Sequence, residues 1–158
     1  MKTRKFGLLG KEIDYSFSRG YFSEKFKAED LNATYENFDF QNIELVTTLL
    51  NPSAQISGIN ITIPYKESII PYLDELQEDA VNIGAVNTVK FEDGKSIGHN
   101  TDFYGFTKAL KPHLKAHHKK ALILGTGGAS KAIAYSLKKL GINYVFVSRN
   151  PDFNEMSY

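Results

Sequence analysis

Ala121-Leu-Ile-Leu-Gly-Thr-Gly-Gly-Ala-Ser-Lys-Ala132 is the stretch that decides the fold. Four apolar residues read as a buried strand and run straight into a glycine-rich turn. Helical spacing follows through Leu140, and Gly141 is placed to stop it. Tyr144-Val-Phe-Val147 is the next apolar strand. Strand, turn, helix and strand in this order predict a βαβ unit with a parallel sheet. Gly125-x-Gly127 allows a tight turn and a close approach of backbone to a diphosphate, while the N–H groups at the following helix start favour that anion. Ser130 stands where the dinucleotide pattern has Gly or Ala, and Gly128 and Ala129 supply small residues instead. Gly125, Thr126, Gly127, Gly128, Ala129 and Ser130 are therefore candidate nucleotide-binding residues.

The end of the second strand bears on which nucleotide. An NAD site places Asp or Glu there for the ribose 2′-hydroxyl. Here the strand ends in Ser148-Arg149-Asn150. A guanidinium binds a 2′-phosphate bidentately, where a carboxylate would repel it, so the pattern favours NADP. A solvent-exposed arginine at a strand end is the plain alternative.

Upstream, Phe6-Gly-Leu-Leu-Gly10 reads as a strand, followed by a polar loop containing Ser16 and Ser18. Tyr21, Phe22 and Phe26 mark a helix, and Thr34 to Phe40 a second strand. Ile43 to Leu50 reads as an amphipathic helix ended by Asn51-Pro52. Ile56 to Ile63 alternates as a strand, with Asn60 and Thr62 on one face. Lys66 to Leu76 has helical spacing interrupted by Pro71. Ala85–Phe91 and Lys95–Gly98 flank Glu92-Asp-Gly94, a hairpin signal. Phe103 to Leu114 reads as a helix with Asp102 as N-cap, and Lys115 to Lys120 as a solvated basic loop or linker. Asn60, Thr62, Lys66, Asn87 and Asp102 are polar groups in apolar surroundings near strand ends, where α/β ligand sites collect. Singly, each also has a plain structural reading as a solvent-facing strand residue, a surface lysine or a helix cap.

The whole chain has 158 residues, 42% of them hydrophobic and 23% charged, which is the composition of a globular protein. Nineteen Lys and Arg against eighteen Asp and Glu leave a net charge of +1, too small to suggest a nucleic-acid partner. No apolar run approaches the roughly 18 residues that span a bilayer. The basic N-terminus, Met1-Lys-Thr-Arg-Lys-Phe, precedes too short an apolar stretch for a signal peptide, so a cytoplasmic location with no membrane partner is expected. With no Cys, disulfides and thiolate-held metals are excluded, and no metal site is expected. The tail, Asn154 to Tyr158, shows no obvious closing element.

Taken together, Ser16-Phe-Ser18, Asn60-Ile-Thr-Ile-Pro-Tyr-Lys66, Gly84-Ala-Val-Asn-Thr88, Gly98-His-Asn-Thr-Asp102, Gly125-Thr-Gly-Gly-Ala-Ser130 and Ser148-Arg-Asn150 resemble the shikimate dehydrogenase family. Motifs in one order at family spacing are far more specific than any one alone. The resemblance implies an α/β protein: a mixed-sheet substrate-binding domain over 1–102, then a partial Rossmann-type doubly wound NADP-binding domain over 103–158. It implies reversible, NADP-dependent reduction of 3-dehydroshikimate to shikimate by a monomer or homodimer. Ser16 and Ser18 would bond the substrate carboxylate, and Asn60, Thr62 and Asn87 the ring hydroxyls. Lys66 and Asp102 would be the catalytic pair at the C3 oxygen. Gly125 to Ser130 would hold the diphosphate and Arg149 the 2′-phosphate, with Ser148 and Asn150 beside it as cofactor-binding residues.

The chain departs from the family pattern where Tyr15 and Arg19 replace the His and Pro that flank the serine motif. The clamp reads Ser-Arg-Asn rather than Asn-Arg-Thr. Family members also run well past the second nucleotide-domain strand, so a fragment of a longer enzyme is expected. Alternatives are a quinate/shikimate dehydrogenase, a non-catalytic binding module of the same fold, or an inactive fragment.

Overall fold

Apolar strands alternating with amphipathic segments build two sheets in the structure, a computed structural model that describes residues 3–158. Met1 and Lys2, on which part of the reading of the N-terminus rests, lie outside the described residues. The chain divides into two units.

The first unit runs up to Gln77 and adds Val86–His99. Its strands are β1 (Arg4–Gly10), β2 (Ala33–Asp39), β3 (Ile56–Ile61), β4 (Glu75–Leu76), β5 (Thr88–Glu92) and β6 (Lys95–His99). They form one mixed sheet in the order β2-β1-β3-β5-β6-β4. β1 runs parallel to β2 and β3, whereas β5 is antiparallel to β3 and β6. The β5–β6 hairpin turns at Asp93 and Gly94, whose φ values of 50° and 78° are the left-handed pair that a two-residue Asp-Gly turn uses. Helix α1 (Ser18–Ala28) packs Phe22 and Phe26 against Leu8, Ile13 and Tyr35. Phe22 stacks on the Tyr35 ring at 4.6 Å. Leu9, Ile59, Ile69, Val86 and Val89 are fully buried, so the apolar face of the strands is the core.

Three readings of this region change. Ile43 to Leu50 is a 3₁₀ turn over Ile43–Val46 followed by the short helix α2 (Thr47–Leu50). Lys66 to Leu76 is not one helix. A single turn, α3 (Tyr65–Ser68), gives way to a 3₁₀ turn over Ile70–Tyr72 and then to β4. Pro71 has no N–H to continue the helix and restricts the residue before it. β3 ends at Ile61, so Thr62 lies beyond the strand. Its N–H bonds the Leu9 carbonyl and its carbonyl accepts from Tyr65, starting the turn through Pro64.

The second unit comprises Glu78–Ala85 and Asn100–Tyr158. Helices α4 (Glu78–Ile83), α5 (Asp102–Leu110) and α6 (Gly128–Lys139) accompany strands β7 (Lys120–Leu124), β8 (Asn143–Ser148) and β9 (Glu155–Ser157). The sheet is wholly parallel in the order β7-β8-β9, with α6 as the β7–β8 crossover. Ile123, Ala134, Leu137 and Ile142 form its core, with Phe106, Leu110 and Leu114 packed on them. Ile83, Ala85 and Ala132 form a second cluster with Phe103 and Tyr135. Ser136, fully buried in α6, bonds the carbonyls of Phe103 and Ala132. Leu122 and Leu124 are 62% and 67% exposed, so β7 alternates about the buried Ile123 and leaves one sheet face open. Parallel sheets bury both faces, which fits an incomplete Rossmann-type domain.

Here too the structure differs from the sequence reading. α5 stops at Leu110, and Pro112 lies in a 3₁₀ turn over Lys111–His113. Asp102 is the first helical residue rather than the N-cap. Thr101 holds the cap position, and Asn100 Oδ1 accepts the Asp102 N–H at 3.0 Å. The tail forms β9, which pairs with β8 through Glu155 to Ser157. Among the described residues no helix is long and apolar enough to cross a membrane.

Candidate functional site

The pairing of the first sheet gathers the polar candidates at one end. Leu9 lies level with Ile61, Asn60 with Thr88, and Thr88 with His99. The loop after β1, the end of β3, the turn into α3 and the approach to β5 therefore meet. These carry Ser16 and Ser18, Asn60, Thr62 and Lys66, and Asn87 respectively.

The serine loop is held from β2. Asp39, the last residue of that strand, accepts the N–H groups of Glu12 at 2.9 Å and Ile13 at 3.0 Å. Glu12 sits in the left-handed region with φ 55°, a conformation costly for a side chain with a Cβ, so the two bonds act against local strain. Ile13 is fully buried, and its carbonyl accepts the Ser16 N–H. Ser16 Oγ donates to Ser18 Oγ at 3.2 Å, and the Ser18 N–H donates back to Ser16 Oγ. Two hydroxyls thus stand side by side where α1 begins, and the first turn of α1 holds no acid. That arrangement suits a carboxylate.

Asn60 is half-buried and bonded on both sides. Its Oδ1 accepts from the Tyr35 hydroxyl at 2.8 Å, and its Nδ2 donates to Thr88 Oγ1 at 3.1 Å. Thr88 donates in turn to Asn87 Oδ1 at 3.2 Å. Tyr35 is buried, and burial pushes its phenol well above the ordinary value, so it stays protonated and a donor. Asn87 is only 9% exposed, and its backbone bonds Ile61 and His99.

Thr62 and Lys66 lie in the turn after β3. The Lys66 carbonyl accepts the Val86 N–H at 2.7 Å, beside Asn87. Tyr65 is buried and its hydroxyl donates to the Phe40 carbonyl at 2.6 Å. Burial, with Asp39 and Glu44 nearby, raises the Tyr65 phenol. The turn carrying Lys66 is thereby pinned at both ends.

In the second unit, Asp102 is half-buried at the start of α5. The Asn100 that holds its N–H is buried and donates through Nδ2 to the Ala85 carbonyl. The glycine-rich turn lies at the carboxyl end of the sheet, where Leu124 is level with Val147. Gly125 has φ 104°, and its N–H bonds the Val147 carbonyl. Gly127 is the extended N-cap of α6, with open space where a Cβ would stand. No side chain caps α6 and no acid lies in its first turn. The donor set therefore fits a diphosphate: bare backbone, free approach and a positive helix end. Thr126 and Ala129 are exposed, Gly128 and Ser130 half-buried. At the same sheet end Ser148 Oγ bonds both the N–H and the carbonyl of Asn150, closing a turn with Arg149 exposed. No group of three His, Asp or Glu placed to hold a metal occurs among the described residues.

Sequence reasoning did not find Asp39 or Tyr35. Both act across more than twenty residues, and neither stands in a motif, so no local signal marks them. An apolar trough of about 350 Å³ in the second unit, lined by Phe106, Leu110, Ile123 and Ile133, holds none of the candidate residues.

Comparison with known proteins gives a consistent result. The family described as "Shikimate dehydrogenase substrate binding domain" matches residues 8–89. A shikimate dehydrogenase (NADP(+)) of Desulfitobacterium hafniense is 40% identical over 152 residues, covering 95% of this chain and 56% of that protein. Shikimate dehydrogenase 1 of Peptoclostridium difficile superposes with a TM-score of 0.87 at 32% identity, over 99% of this chain and 60% of that one. Shikimate 5-dehydrogenase of Thermus thermophilus, solved with NADP(H) and shikimate, gives 0.83 at 32% identity, over 94% and 57%. The chain thus spans little more than half the length of the relatives it matches.

Proposed function

The chain belongs to the shikimate dehydrogenase family, and from that premise we propose that it carries the substrate site and the first part of the NADP site of an NADP-dependent shikimate dehydrogenase. In this reading residues 1–102 form the substrate-binding and catalytic domain, and 103–158 the beginning of the NADP-binding domain. The protein works on small molecules as a cytoplasmic monomer or homodimer.

The observation that supports the reading is the chain of hydrogen bonds through Asn60, Thr88 and Asn87 at the end of the first sheet, with the Ser16 and Ser18 hydroxyls paired in the loop after β1 at that same end. The two serines bond the carboxylate of shikimate or 3-dehydroshikimate. Asn60, Thr62 and Asn87 bond the ring hydroxyls. Such neutral groups suit a polyhydroxy acid, because an analogue lacking a hydroxyl leaves a buried polar group unpaired. Gly125, Thr126, Gly127, Gly128, Ala129 and Ser130 hold the diphosphate of NADP. Arg149, with Ser148 and Asn150 shaping its turn, takes the 2′-phosphate. NADPH, when bound, would supply the hydride to the C3 carbonyl carbon, and NADP⁺ would take it back in the reverse direction.

The chain's own groups handle the proton. As the C3 carbonyl is reduced, its oxygen gains negative charge. The Lys66 ammonium stabilises that charge and donates the proton. Asp102, the other member of the family's catalytic pair, shares the proton work. In the protein containing these residues, Lys66→Ala should lower shikimate-dependent reduction of NADP⁺ by about 10²–10⁴-fold. Shikimate affinity should change far less. Full turnover in Lys66→Ala, or no turnover in the parent, overturns the reading.

A further inference from the structure

Resting on that reading of the substrate site, we propose that Tyr35 and Thr88 are positioning residues. They fix which way the Asn60 and Asn87 amides face, and so which substrate oxygens meet a donor and which an acceptor. Neither needs to touch substrate to do this.

An asparagine amide is nearly symmetric in shape, and only its hydrogen-bond partners decide which end is oxygen. Here the partners form a one-directional chain. Tyr35 donates to Asn60, Asn60 donates to Thr88, and Thr88 donates to Asn87. The same heavy atoms admit the reverse sense. Asn87 and Asn60 would both flip, Thr88 would donate to Asn60, and Asn60 to Tyr35. The two senses differ at the Tyr35 phenol. In the reverse sense its proton would need another acceptor, and the hydroxyl bonds only Asn60 among the described residues. The ring is buried with Leu8, Ile13 and Phe22. A buried donor without a partner is disfavoured, so Tyr35 selects the forward sense.

Thr88 is the relay. Its single hydroxyl both accepts from Asn60 and donates to Asn87, so orienting one amide orients the other. Asn60 then keeps one Nδ2 hydrogen and one Oδ1 lone pair, in fixed places, for a ligand. A site with fixed donors and acceptors rejects ligands whose oxygens are missing or moved, and a site whose amides flip tolerates them.

The test has two arms. In the ligand-free protein, the Asn60 side-chain amide should give one slowly exchanging NMR signal pair. Tyr35→Phe, which retains the ring stack, and Thr88→Val, which retains the shape, should broaden or double it. Thr88→Ser, which restores the hydroxyl, should recover it. In the ligand arm, shikimate is compared with cyclohexene carboxylate, which lacks the ring hydroxyls. The preference for shikimate should fall at least tenfold in Tyr35→Phe and Thr88→Val and return in Thr88→Ser. Amide signals unchanged in both variants overturn the fixed orientation. A preference kept within twofold overturns its role in discrimination. If the parent binds no shikimate, the reading of the site fails by itself, while the amide arm still decides the network.

Discussion

Asp39→Asn tests how the serine loop is held. The carboxylate spans two consecutive N–H groups, Glu12 at 2.9 Å and Ile13 at 3.0 Å, one on each oxygen. Asparagine keeps one oxygen and turns an NH₂ toward the other N–H, so one bond is lost and the other becomes neutral. Hydrogen bonds to a charged group contribute about 1.5–3 kcal/mol net and neutral ones about 1 kcal/mol. Asp39 is exposed, which puts its bonds at the lower end of that range. The expected loss is about 2 kcal/mol, or roughly 30-fold in the local opening equilibrium. The left-handed Glu12 adds to the tendency to open once its restraint is gone. Amide hydrogen exchange reads this directly, since local opening sets exchange in such loops. Glu12, Ile13 and Ser16 should exchange about 30-fold faster in the variant. The Thr62 amide, bonded to the Leu9 carbonyl just past the end of β3, should not change. Exchange at Glu12 and Ile13 within twofold of the parent would refute the assignment of Asp39 as the anchor.

Other outcomes follow from the same geometry. Asp79 is held below the ordinary carboxylate range, first by the Tyr135 hydroxyl at 2.6 Å and then by Lys139. Its folded pKa is depressed, so its contribution is present above about pH 4 and lost as pH falls through the folded value. In acid titrations monitored by circular dichroism, Asp79→Asn should abolish this part of the acid-side loss, worth about 0.5–1 kcal/mol for a partly exposed pair. Lys139 is raised to about 12 by Tyr135 and Asp79, so its contribution should be complete below about pH 10.5 and fade as pH rises toward 12. Gly98→Ala would place a Cβ 2.6 Å from Leu76 Cδ2, 2.7 Å from Leu73 Cδ1 and 2.9 Å from Val86 Cγ2. Urea unfolding should show a loss of about 1–3 kcal/mol. Arg149→Glu should weaken NADPH binding about 10–100-fold in fluorescence titration while affecting NADH far less, the size of a lost charge-assisted bond. Equal losses for both nucleotides would remove Arg149 from the 2′-phosphate.

How much of this was legible depended on whether the deciding interactions were local. The β7–α6–β8 unit was readable because a four-residue apolar run, Gly125 and Gly141 each impose one backbone behaviour. The structure places both glycines in the left-handed region. Asp93-Gly94 specified its hairpin for the same reason. Lys66 to Leu76 misled because Ile69, Ile70, Leu73 and Leu76 keep a helical period while Pro71 breaks the hydrogen-bond ladder. β4, α4 and β9 were missed because two, six and three residues carry no usable period. For the candidate site, the motifs named Ser16, Ser18, Asn60 and Asn87. The groups that orient them were illegible, since Asp39 reaches Ile13 across 26 residues and Tyr35 reaches Asn60 across 25.

The central claim is that the end of the first sheet is a shikimate site. Titrating shikimate into isotopically labelled protein while following the Ser16 and Ser18 backbone amides and the Asn60 and Asn87 side-chain amides tests it most directly. The account predicts saturable shifts at all four residues, together, at millimolar shikimate or below. No shift at these residues, or shifts confined to residues 100–158, would contradict it.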